Sequence, residues 1–199
     1  MTKYIFILVL TALCSSCNDF SQANQRQYKQ LSQNLHHATT ENEVDQLFAQ
    51  LKVATEEKVI RQTQQRIRKL WAKHPDARID TLMEAGTDAM YSKDYEDALN
   101  IFSSVININP GYAEGWNKRA TVYFMMGNFQ ASLRDIRNTL DLEQRHFGAL
   151  SGMASIYLVQ GKNEKALVAY ERLHKIIPQL KEVNLTIQEL RGMLGYRRI

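Results

Sequence analysis

Cys14 and Cys17 enclose two serines in the run Cys14-Ser15-Ser16-Cys17. A Cys-x-x-Cys pair does redox or metal chemistry when it opens a helix that follows a strand, where the helix N-terminus lowers a thiol pKa. Here it closes an apolar run, Tyr4–Leu13, that follows Lys3. That is the layout of an export leader, and it argues against a redox or metal role. His36 and His37 are adjacent, so on a helix they point in different directions. No carboxylate or cysteine stands at ligand spacing from them. A solvated pair is expected, and no metal site is assigned. The chain contains no HExxH, GxSxG, phosphate-binding loop or GxGxxG sequence. Without a nucleophile paired to a base, or two closely placed carboxylates, no catalytic residue is assigned and no cofactor is implied.

The leader covers residues 1–17. Its ten-residue apolar stretch is short for a membrane span, which needs about 20 residues. Its end resembles a bacterial lipobox, with Ser15 and Ser16 before a lipid-accepting Cys17. Cys14, where that pattern prefers Leu, is a departure. Ordinary cleavage after small residues also fits. Either way the body is expected outside the cytoplasm, in the periplasm or anchored to a membrane. No cysteine comes after residue 17, so no internal disulfide can support the exported body. Residues 18–39, rich in Gln, Asn and Ser, read as a polar tether.

The rest of the chain must build the framework for any site. Apolar residues make up 44%, with three prolines and nine glycines, and no alternating β-branched run appears. These features predict an all-α chain. Residues 79–180 carry ten Lys and Arg against twelve Asp and Glu, which argues against a nucleic-acid surface.

Residues 40–74 read as a helical hairpin. Thr40 and Glu43 have capping-box spacing, and Val44, Leu47, Phe48 and Leu51 share one helix face. Thr55 is the expected cap of a second helix, whose apolar face runs through Ile60, Ile67, Leu70 and Trp71. His74 and Pro75 end it. Arg61, Arg66, Arg68 and Lys69 fall toward its solvent side. The simplest packing for this hairpin is on the next unit in the chain.

Residues 79–112, 113–146 and 147–180 then align without gaps at a period of 34. Leu82, Trp116 and Leu150 share the fourth position; Gly86, Ala120 and Ala154 share the eighth. Ala89, Tyr123 and Tyr157 share the eleventh, and Ala98, Ser132 and Ala166 the twentieth. Large residues at the fourth and eleventh positions share a helix face, so Trp116 and Tyr123 are expected in the core. Small residues at the eighth and twentieth let two antiparallel helices approach. Gly127 and Gly161 allow a left-handed turn between them, where the first repeat has Lys93. Pro110 and Pro178 stop the second helix, where the middle repeat has Gln144. Each hairpin leaves an apolar side uncovered, so the units must stack. Val183, Ile187, Leu190 and Leu194 then predict a capping helix within 181–195.

This 34-residue pattern resembles the tetratricopeptide repeat (TPR), and the two later units also resemble exported TPR proteins of alphaproteobacteria. The resemblance implies a right-handed α-solenoid of antiparallel hairpins whose first helices line a concave groove. By the family's pattern the lining here includes Met83, Thr87, Met90 and Tyr91, then Asn117, Thr121, Phe124 and Met125, then Ser151, Ser155 and Leu158. The Lys/Arg set with which chaperone-binding TPRs clamp a carboxylate is missing. A partner helix or an apolar peptide is the implied ligand, unless the 40–74 hairpin or the capping helix covers the lining. Arg119 holds a normally apolar seventh position, with Asp135 opposite on the second helix. This pairing recurs in TPR units and implies a partly buried, structural ion pair. The function expected is therefore a non-catalytic adaptor for protein or peptide partners at the bacterial envelope. Self-assembly through the groove is the alternative, and enzymatic activity is disfavoured by the missing motifs.

Overall fold

The computed structural model describes residues 40–195. The leader, the tether, Cys17, the histidine pair and the last four residues lie outside the described residues. The chain divides into two compact units between Glu43 and Val44. The described part of the first is a helical stretch, 40–43, and the remaining described residues belong to the second.

All regular structure among the described residues is helical. Helix α1 covers 40–53, so Thr40, expected as its cap, already lies within the helix. The others are α2 (Glu57–Ala72), α3 (Ala77–Tyr91), α4 (Tyr95–Ile108), α5 (Ala113–Met125), α6 (Phe129–Leu142), α7 (Phe147–Val159), α8 (Asn163–Ile176) and α9 (Lys181–Met193). Helices α3 and α4, α5 and α6, and α7 and α8 are the three repeat hairpins, each packed on the next, with α9 against α8.

Local chemistry explains the helix starts. Asp76, Asp94 and Asn128 precede α3, α4 and α6, and their side chains accept from the backbone N–H of Arg78, Asp97 and Ala131. Each such acceptor satisfies an orphan donor of a first turn. The expected Thr55 cap does not form. Glu56 stands at the N-cap of α2, and no side chain caps that end. The turn inside each hairpin is left-handed at Lys93, Gly127 and Gly161, three equivalent positions.

The small residues at the eighth and twentieth positions are buried where the paired helices cross. A Cβ added to Gly86 would sit 2.7 Å from the Phe102 ring. Ser132 departs from Ala at the twentieth position, and its hydroxyl donates to the Ala120 carbonyl 2.8 Å away. That bond spares the buried hydroxyl a desolvation penalty. Phe102 and Leu150 are fully buried. Each contributes about 1.5–3 kcal/mol relative to exposure.

The core forms two clusters. The smaller joins Ile79, Met83, Met90, Ala98, Phe102 and Val105 with Val122 of α5. The larger joins α1 and α2 (Val44, Leu47, Phe48, Leu51, Ile60, Ile67) to α5 through α9, where Leu150, Ile156, Ile177 and Ile187 are among its members. The N-terminal hairpin therefore packs on the second and third repeats. The expectation that it stacks on the next unit in the chain is corrected. Its apolar stripe meets the large apolar residues of α7, whereas the first repeat already buries its own apolar residues in a separate cluster.

Candidate inner-face binding site

The first helices of the repeats, α3, α5 and α7, form one face of the stack. Three inter-helix junctions, before α5, α7 and α9, hold the α1–α2 hairpin. Before α5, the Tyr112 hydroxyl donates to the Trp71 and Ala72 carbonyls at 3.0 and 2.9 Å, so it fills the acceptors that end α2. Burial pushes its pKa far up, which keeps the donor protonated. Before α7, Arg145 pairs with Asp45 at 2.6 Å and lies 4.4 Å over the Phe48 ring. Before α9, the Gln179 side chain donates to the Lys52 carbonyl.

At the centre of this edge, Trp71 stacks on His146 with ring centroids 4.4 Å apart, and Phe147 lies 5.1 Å from the indole. His146 is 3% exposed and is the N-cap of α7. Its Nδ1 accepts from the Ala149 N–H, so its proton sits on Nε2, 3.0 Å from a Glu114 carboxylate oxygen. Asn117 donates to the same oxygen, and Lys118 lies 3.9 Å from the other. One oxygen of the buried Glu114 is thus held by two donors, and the other faces the Lys118 ammonium. Glu114 holds the second, groove-facing position of its repeat, but nothing in the periodicity marks His146. The Trp71–His146 stack joins residues 75 positions apart, so local pattern carries no trace of it.

The hairpin leaves part of the inner face open. Between α5 and α7 lies a cavity of about 160 Å³, lined by Asn117, Thr121, Phe124, Ser151 and Ser155 together with small residues and Ile136 of α6. Five of the sequence-assigned lining residues therefore come together. Thr87 is half-buried on α3 and Leu158 half-buried on α7, neither in the cavity wall. Tyr91 and Met125 are 72% and 45% exposed, and Val159, at the same repeat position, is 66% exposed. Met83 and Met90 do not line accessible surface. They are 5% and 4% exposed and belong to the core shared with Phe102 and Val122. In the first repeat the two methionines join the buried cluster of Ile79, Phe102, Val105 and Val122 rather than the surface.

Arg119 is bidentate on Asp135, with Nε 2.7 Å from Oδ2 and Nη2 3.0 Å from Oδ1. Its remaining Nη1 donates to Ser103 of α4 at 3.0 Å. The guanidinium sits 5.1 Å from the Trp116 ring and 6.0 Å from Tyr123. Hydrogen bonding to Asp135 raises the arginine pKa against the opposing effect of burial. This pair ties α4, α5 and α6 together. Trp116 and Tyr123, expected in the core, are only half-buried and serve as walls for the cation. The Trp116 indole N–H donates to the Pro110 carbonyl at 2.8 Å.

Among the described residues, no cluster of three or more His, Cys, Asp or Glu could hold a metal ion. Among the same residues no helix is long and apolar enough to cross a membrane.

Stacked antiparallel hairpins at a 34-residue period, with an inner face built from their first helices, define a TPR-type solenoid. No family profile matches the chain. A TPR repeat-containing protein of Rhizobium etli is 39% identical over 153 residues, which is 75% of each chain. The chain belongs to the TPR repeat-containing family. Solved structures agree on the fold. The first TPR domain of Spaghetti (RPAP3) bound to an HSP90 peptide superposes with a TM-score of 0.54 at 20% identity, covering 59% of this chain and 93% of that one. MamA superposes with a TM-score of 0.55 at 22% identity, covering 60% and 70%.

Proposed function

We propose that this protein is a non-catalytic scaffold that binds a segment of another protein on the open part of its inner face. The observation that carries this reading is the row Tyr91, Met125 and Val159, one residue per repeat, exposed at the ends of α3, α5 and α7 beside the α5–α7 cavity. Equivalent apolar residues left in water on successive repeats offer one contact per repeat to a bound segment. The TPR domain of Spaghetti, with the same fold, is bound to a peptide.

The second part of the proposal is location. Residues 1–17 carry the leader pattern ending in Cys17, and the scaffold is exported to the bacterial envelope, held there by lipid on that cysteine. The experiment for both parts is crosslinking in living cells with a C-terminally tagged chain. A Tyr91→Ser/Met125→Ser/Val159→Ser variant and a Cys17→Ala variant serve as controls. Partners lost in the first variant, and membrane association lost in the second, are expected. A chain that captures no partner but sediments as concentration-dependent oligomers would replace the adaptor with self-assembly.

A further inference from the structure

Resting on that reading, we propose that the α5–α7 cavity is an anchor subsite for one uncharged aliphatic or methionine side chain of the partner segment. Its volume, about 160 Å³, suits a single side chain; sites for whole small molecules run to about 300–1,000 Å³. It opens beside Phe124, which is in ring contact with Phe129 and adjoins the exposed Met125. A segment lying along the exposed row can therefore turn one side chain inward.

The electrostatics exclude a charged anchor. No charged side chain lines the cavity. The nearby ionisable groups are already engaged: Glu114 by His146 and Asn117, Arg119 by Asp135 and Ser103. Two of the four wall hydroxyls are also committed, Thr121 to the Asn117 carbonyl and Ser132 to the Ala120 carbonyl. An ammonium, guanidinium or carboxylate entering here would lose its water and meet no counter-charge. The same absence removes any means of clamping a chain-terminal carboxylate. An apolar side chain incurs no such penalty and displaces water from Ile136 and Phe124.

Gly152 supplies a test that separates binding from folding. It sits in mid-α7 on the cavity wall, where an added Cβ would make ordinary contact with Ile136 at 3.5 Å. Gly152→Ala is therefore expected to raise the melting temperature, since Ala is the better helix former. Gly152→Leu would fill the cavity.

The probes are capped pentapeptides, Ac-Ala-Ala-X-Ala-Ala-NH2, titrated into the isotope-labelled full chain and followed by amide NMR. With X as Leu or Met, saturable shifts are expected around Thr121, Phe124, Ser151 and Ser155. Affinity should fall at least about ten-fold, or 1.4 kcal/mol, with X as Lys or Glu. The Leu peptide should lose its shifts in Gly152→Leu, whose spectrum elsewhere matches the parent. Equal binding of the charged peptides, shifts that survive Gly152→Leu, or no localised shifts at all would overturn the subsite. If cell crosslinking still captures partners through Tyr91, Met125 and Val159 in the Gly152→Leu background, the scaffold reading stands and only the anchor falls.

Discussion

The indole of Trp71 lies on the imidazole of His146 with planes 14° from parallel, and the same imidazole caps α7 and reaches Glu114. This aromatic contact is one of several that hold the N-terminal hairpin on the second and third repeats. Trp71→Ala is expected to cost about 3 kcal/mol, the lower end for truncating a large aromatic. Hydrogen exchange should show amides of α1 and α2 losing protection before those of α3 and α4, whose core is separate. Uniform loss of protection across all helices would contradict that division.

The Arg119–Asp135 pair makes a second quantitative demand. Its side chains are 18% and 6% exposed. Arg119→Met strands a buried carboxylate and should cost about 3–5 kcal/mol. Arg119→Met with Asp135→Leu should recover most of that loss, because two apolar groups replace a desolvated pair. Denaturant titrations of both variants give the coupling directly. Unchanged stability in the single variant would show that the pair is not structural.

Gly86 should tolerate no side chain. Gly86→Ala places a methyl against the edge of the fully buried Phe102 ring. The overpacking is expected to cost about 1–3 kcal/mol, more than the gain in helix propensity. Phe102→Leu in the same background should restore part of the stability, read as a rise in melting temperature over Gly86→Ala alone.

Lys93 occupies the left-handed turn position with φ 66°, where the other repeats carry glycine. An L side chain in that region costs about 1 kcal/mol. Lys93→Gly should therefore stabilise the chain by a few tenths to about 1 kcal/mol. Gly127→Ala, at φ 74°, should do the opposite. The two midpoints in urea must move in opposite directions.

His74 gives a pH dependence. Burial lowers its pKa below the ordinary 6.5, against the opposing pull of Asp76 and Asp80. Between the lowered folded value and 6.5 the unfolded chain binds more protons, so stability rises with pH across that window. The contribution is complete above pH 6.5 and fades as pH falls toward the folded value. Unfolding midpoints at about pH 7.5 and about pH 5 should differ less in His74→Gln than in the parent.

The sequence by itself determined the hairpins. The 34-residue period, the small residues at the crossings and the turn glycines are local or nearest-neighbour requirements. They act through helix spacing and backbone φ, which a one-dimensional pattern records. Arg119 and Asp135 were legible for the same reason, being 16 residues apart within one hairpin. Asn117, Thr121, Phe124, Ser151 and Ser155 could be placed on the inner face through the resemblance to the TPR pattern, in which repeat position fixes helix face. Met83 and Met90 could not be placed, since repeat position does not record that they pack into the cluster around Phe102 and Val122. What only the tertiary structure decided was the docking of the N-terminal hairpin. Its amphipathic stripe states that it must be covered but carries no direction. The choice of the α7 edge over the neighbouring repeat came from a match between Phe48, Trp71, His146 and Phe147. Complementarity between surfaces so distant in sequence is a property of packed shapes, and it exists only once the repeats have stacked.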